Sequence, residues 1–155
     1  MYGIIATWRM ALEGISKADS MLKNNENAAD SIEEAIKAVE DFEYYKSVGY
    51  GGLPNEEMEV ELDAAFMDGD TLEFGCVGGI KDFANPVSIA RSLMHYDANN
   101  FLVGQGAEKY ASRHGFERKT MLTDRAKIHY HNRIKEITNT ELKPYSGHDT
   151  VGMVC

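Results

Sequence analysis

Ser47-Val48-Gly49-Tyr50-Gly51-Gly52-Leu53-Pro54 marks the point where the hydrophobic period of the chain changes, and the stretches on either side of it decide the fold class. Before it, Ala28, Ile32, Ala35, Ile36 and Val39 recur at helical spacing. That predicts an amphipathic helix whose Glu33, Glu34 and Glu40 form a solvated acidic face. After it the period is two. Val60, Leu62, Ala64 and Phe66 alternate with Glu61, Asp63 and Ala65; Asp68-Gly69-Asp70 turns the chain, and Leu72, Phe74 and Cys76 alternate back. This is the pattern of a β-hairpin with Asp-Gly turn chemistry. The loop between the two regimes carries Gly49, Gly51 and Gly52, which open backbone conformations closed to other residues. A chain that contains both periods is α/β.

Working outward, Gly3 to Thr7 reads as a short strand ending at Trp8, followed by a helix from about Met10 to Leu22 and a polar break over Asn24 to Asn27. Asn85-Pro86 offers an N-cap and a first-turn proline for a helix reaching about His95. Phe101 to Val103 is a strand candidate, Ala107 to His114 a helix closed by Gly115, and Thr123-Asp124 caps a helix reaching about Ile137. Asn139 to Gly147, with Pro144, resembles a linker. The last residues, Thr150 to Cys155, are apolar and β-prone, so this segment is expected to continue in a parent protein or to pair with another chain.

The chain has 155 residues, enough for one domain with a real core. Sixteen Lys and Arg against 25 Asp and Glu give a net charge of −9, with no basic cluster, which argues against nucleic acid as a partner. The longest apolar run is Ala64 to Met67, far short of the roughly 20 residues of a membrane helix. The N-terminus lacks a secretory signal, and Cys76 and Cys155 are too few for a disulfide framework; a cytoplasmic protein with reduced thiols is expected.

Several chemical candidates are weak. Gly104-Gln105-Gly106 follows a strand, but Lys109 occupies the third glycine position of a dinucleotide fingerprint and no compact βαβ unit is apparent in the pattern. His129 and His131 point in different directions on a helix, and Asp63, Asp68 and Asp70 lack the spacing of a calcium loop, so no metal site is expected. Met58, Met67, Met94 and Met121 read as core filler. There remains His148-Asp149-Thr150-Val151-Gly152. One reading is a capped turn entering a strand. The other makes Thr150 a nucleophile, which needs a base; an N-terminal threonine carries one in its own α-amine, whose pKa is about 7.7 to 8.0. That chemistry requires cleavage between Asp149 and Thr150.

Thr7-Trp8, Val39-Glu40-Asp41, Ser47 to Pro54, Leu62-Asp63-Ala64, Met67-Asp68-Gly69, Lys81 to Arg91, Leu102 to Ala107 and His148 to Gly152 stand in the order shown by one family. The chain resembles the glycosylasparaginase branch of the N-terminal nucleophile hydrolases, which also include plant-type asparaginases and isoaspartyl peptidases, and the resemblance runs over essentially its whole length. It implies an αββα sandwich of which this chain supplies about half, with residues 1–149 as an α-subunit-like region and 150–155 as the truncated start of a nucleophile-bearing β-subunit segment. It implies a precursor that cuts itself before Thr150, with Asp149 and His148 assisting, and an amidohydrolase acting on the side-chain amide of asparagine derivatives. Trp8 and Ser47 match substrate-side positions. No metal or organic cofactor is implied.

In the family the site is completed by a β subunit that supplies further threonines, an oxyanion hole and an arginine–aspartate pair for the substrate's α-carboxylate and α-amine. The present sequence holds five residues after Thr150. The resemblance therefore implies that a complementary β-subunit segment, a small-molecule substrate and an oligomer complete the protein. The alternative is a catalytically inactive truncated homologue that acts as an assembly or binding subunit. Met58 stands where the family has glycine, and Arg9-Met10 differs after the tryptophan, which leaves glycosylated asparagine, asparagine and β-aspartyl substrates open.

Overall fold

The computed structural model describes residues 1–139 and 150–155, so the expected linker beyond Asn139 and the pair His148 and Asp149 lie outside the described residues. Strand β1 (Ile5–Ala6) leads through a 3₁₀ turn at Arg9–Ala11 into α1 (Leu12–Lys23) and α2 (Ala28–Glu40). The hairpin strands are β2 (Glu61–Met67) and β3 (Phe74–Lys81), followed by α3 (Pro86–Leu93), β4 (Phe101–Val103), α4 (Gly104–Arg113), α5 (Asp124–Asn139) and β5 (Met153–Val154).

Local chemistry explains most boundaries. Asn27 caps α2 by accepting the Ala29 amide hydrogen at 2.7 Å, and Thr123 Oγ1 caps α5 by accepting that of Ala126 at 3.2 Å. The expected Asn85 cap is corrected. Asn85 takes a left-handed conformation (φ 51°) and makes no side-chain cap bond; its amide donates instead to the carboxylates of Asp41 (3.1 Å) and Glu40 (3.4 Å). The hairpin turn is corrected too. The positive φ falls on Leu72 (61°) rather than on the Asp-Gly dipeptide, and Asp68 shapes the turn by accepting the amide hydrogens of Asp70 and Thr71.

β2, β3 and β4 form one sheet in that order, β2–β3 antiparallel and β3–β4 parallel, while β1 and β5 form a separate antiparallel pair. The β3–α3–β4 crossover is a βαβ unit, but it ends before Gly104, and among the described residues α4 leads to no further strand of this sheet, so no such unit begins at Gly104. A three-residue strand such as β4 has too short a pattern to announce its partner. Register slips between Leu62 and Ala64, where Gly79, at φ 56°, donates its amide hydrogen to Asp63 Oδ1 at 2.8 Å and so forms a bulge.

Alternation assigns the sheet faces. Leu62, Phe66, Val77 and Ile80 join Val87, Ile89, Ala90 and Leu93 of α3 and Ala107 and Ala111 of α4 in one core. The opposite face shows Asp63, Ala65 and Met67 on β2, Phe74 and half-buried Cys76 on β3, and Phe101 and Val103 on β4. Met121 is buried as expected of core filler, but Met67 is 59% exposed on this outer face, because strand alternation and not hydrophobicity sets its direction. A salt-bridge network ties α2 to α3: Arg91 pairs with Glu33 and Asp30, and Ser88 donates to Glu33.

Candidate functional site

Glu40, expected on a solvated face, is 5% exposed. It lies four residues after Ile36, on the stripe that packs inward. Its carboxylate accepts the Val87 amide hydrogen at 3.3 Å and so occupies the N-terminus of α3, the role foreseen for Asn85. Burial pushes its carboxyl up to about 8, more than the Asn85 and Val87 hydrogen bonds pull it down.

The backbone of Glu40 fixes the glycine loop as well. Its carbonyl accepts the Tyr50 amide hydrogen at 2.7 Å. Gly49 sits at φ 61°, and a Cβ there would stand 2.0 Å from the Glu40 carbonyl oxygen, so close approach and conformation both require glycine. Gly51 donates to the Met121 carbonyl at 2.9 Å and Leu53 to that of Lys46 at 2.8 Å, which completes the loop that carries Ser47.

Ser47 and Thr150 meet in one cavity of about 440 Å³, together with Glu40, Gly49, Asp63 and Val87. Thus two of the sequence-predicted site residues come together although 103 positions separate them (150 − 47). Trp8 is not part of that wall. It is 46% exposed at φ 66°, at the entry to the 3₁₀ turn, one residue past Thr7, which bonds to Gly152. Asp149 and His148 lie outside the described residues.

The cavity is acidic. Glu61 faces it and is balanced in part by Lys81, which also pairs with Glu59 at 2.5 Å. Ser47 also borders a second cavity of about 550 Å³ lined by Lys46, His129, Asn132 and Arg133 among others. There burial, with repulsion from Lys46 and Arg125, holds the His129 imidazole below its ordinary pKa. Among the described residues no three His, Cys, Asp or Glu side chains converge as metal ligands, both cysteines are free thiols, and no helix is long and apolar enough to cross a membrane.

Sequence reading missed Glu40 and Thr7. The helical spacing of Glu40 from Ile36 was an available signal; the contact between Thr7 and Gly152 had none, because it spans 145 positions.

A glycine loop and a cavity lined by Ser47, Glu40, Glu61, Asp63 and Thr150 thus stand together on an α/β frame. The asparaginase family model matches residues 6–155. The chain belongs to the type 2 asparaginase family. It is 32% identical over 151 residues to an N(4)-(beta-N-acetylglucosaminyl)-L-asparaginase of Elizabethkingia miricola, covering 97% of this chain and 44% of that protein. It is 36% identical over 124 residues to the isoaspartyl peptidase/L-asparaginase of Rattus norvegicus (76% and 37%), and 36% over 121 residues to the plant-type L-asparaginase of Thermococcus kodakarensis (78% and 35%). The chain thus spans less than half the length of these relatives.

Proposed function

We propose that the chain is the α-subunit-like part of an amidohydrolase that cleaves the side-chain amide of asparagine derivatives, with Thr150 as nucleophile and residues 150–155 opening the nucleophile-bearing segment. The observation that carries this reading is the shared cavity of Ser47 and Thr150 in a chain of the type 2 asparaginase family. The names of the relatives support the amide-hydrolase class, and the Elizabethkingia protein favours the glycosylated substrate.

The chemistry runs in two stages. In the precursor, Thr150 Oγ1 attacks the carbonyl carbon of Asp149; a C–O bond forms, the C–N bond breaks, and the hydroxyl proton passes to the liberated amine of Thr150. Water then hydrolyses the ester, restoring the hydroxyl and leaving Asp149 as a carboxyl terminus. Asp149 and His148 assist at that bond. In the mature site the α-amine, with a pKa of about 7.7 to 8.0 for such groups, accepts the Thr150 proton as Oγ1 attacks the amide carbon. The amine leaving group departs with that proton, and water resolves the aspartyl ester.

Ser47 and Trp8 contribute to the substrate side. The bare outer face of the β2–β3–β4 sheet fits the inner layer of an αββα sandwich, to be covered by the complementary segment, which also has to supply the oxyanion donors. The test is ammonia release from L-asparagine, and glycosylamine release from N-acetylglucosaminyl-asparagine, by the chain joined through Cys155 to the part of the Elizabethkingia relative that lies beyond the matched region. Thr150-dependent release of either product supports the proposal. Its absence under conditions where the joined chain folds favours an assembly or binding subunit.

A further inference from the structure

β1 and β5 meet through an unusual pair. Thr7 donates its amide hydrogen to the Gly152 carbonyl at 2.9 Å, and in a regular antiparallel hydrogen-bonded pair the return bond would end on the Thr7 carbonyl. Instead the Gly152 amide donates to Thr7 Oγ1 at 2.8 Å, and the same hydroxyl lies 3.4 Å from the Gly152 carbonyl, to which it donates. The chain leaves the ladder just there, at Trp8 (φ 66°), for the 3₁₀ turn. A side-chain oxygen therefore stands in for a backbone acceptor at the end of the ladder. Val or Ala at this position would leave the Gly152 amide without it.

Gly152 is two residues past Thr150, and Val151 between them lines the same cavity as Thr150 and Ser47. Beyond Thr150, among the described residues, the strand β5 pairs with β1 alone. Resting on the reading of Thr150 as nucleophile, we infer that Thr7 is a positioning residue: its hydroxyl fixes the Thr150–Gly152 backbone and thereby holds the Thr150 side chain in the cavity.

Two measurements on Thr7→Val and Thr7→Ser test this. In the 155-residue chain the Gly152 amide hydrogen should exchange about tenfold faster in Thr7→Val, with Thr7→Ser close to the parent, since loss of one such bond corresponds to about that factor. With the complementary segment present, cleavage before Thr150 should slow about tenfold in Thr7→Val and recover in Thr7→Ser. A merely structural role would lower the melting temperature and leave the cleavage rate of the folded chain unchanged; Thr7→Ala replaces the valine variant if the latter fails to fold. Unchanged Gly152 exchange in Thr7→Val, or cleavage as fast as in the parent, overturns the inference. A parent chain that is never cut overturns the nucleophile reading instead, and the Gly152 exchange then still decides whether Thr7 fixes the segment.

Discussion

Glu40 accepts the Val87 amide hydrogen at 3.3 Å, so the carboxyl group that ends one helix caps the start of another, 47 positions away, and does so from the wall of the cavity that Thr150 also lines. The same residue grips the Ser47 loop through its carbonyl, so loop, helix terminus and cavity share one support.

That arrangement makes stability depend on pH. The carboxyl of Glu40 is raised to about 8 in the folded chain from 4.5, so the folded state holds a proton that the unfolded state has lost across this window. Stability from this group is fully present below about pH 4.5, falls as pH rises, and levels off above about 8. The total loss is a few kcal/mol, one pK unit being about 1.4 kcal/mol. Urea midpoints between pH 5 and 8.5 should decline in the parent and stay flatter in Glu40→Gln; a parallel decline in both contradicts the assignment.

Gly49→Ala should destabilise by about 2 to 4 kcal/mol, because it places a methyl against the Glu40 carbonyl at a positive φ. Gly106→Ala, where a Cβ inside α4 meets nothing within 4 Å, is the control and should melt at or slightly above the parent, since alanine favours the helix. Thermal melts followed by circular dichroism separate the two.

Phe83 is completely buried, with the Arg118 guanidinium 5.3 Å from its ring centre. Phe83→Ala should cost about 3 to 5 kcal/mol through the cavity left behind. A denaturation midpoint near that of the parent would show that the core is not centred there.

Ser47 lines both cavities, and Ser47→Ala removes a hydroxyl without disturbing the glycines that shape the loop. Amide hydrolysis by the assembled protein should fall about tenfold in kcat/KM while the melting temperature stays unchanged. Equal activity would remove Ser47 from the substrate side.

Much of this architecture was legible because it is local. Thr123 announced its cap, Asn24 to Asn27 announced a break that Asn27 turns into a cap, the alternation from Val60 to Phe66 announced β2, and the glycine loop announced a break between regimes. What stayed hidden depends on partners distant in sequence. The bulge at Gly79 needs Asp63 across the sheet, the parallel pairing of β4 needs the crossover of α3, and the bonding of Asn85 to Asp41 and Glu40 replaces an expected helix cap with a tertiary contact. Glu40 lay between these cases: its spacing from Ile36 pointed inward, while its charge argued for solvent. At the site, the motif order named Thr150 and Ser47, whereas Thr7 acts through its hydroxyl on a residue near the other end of the chain, which no pattern within β1 encodes.

The central claim is that Thr150 is exposed as a nucleophile by cleavage of its own preceding bond. Intact mass spectrometry with N-terminal sequencing, on the chain joined through Cys155 to the complementary segment and on its Thr150→Ala variant, tests it most directly. The account predicts a fragment beginning at Thr150 in the parent and an uncut chain in the variant. An uncut parent, or a cut that persists in Thr150→Ala, would contradict it.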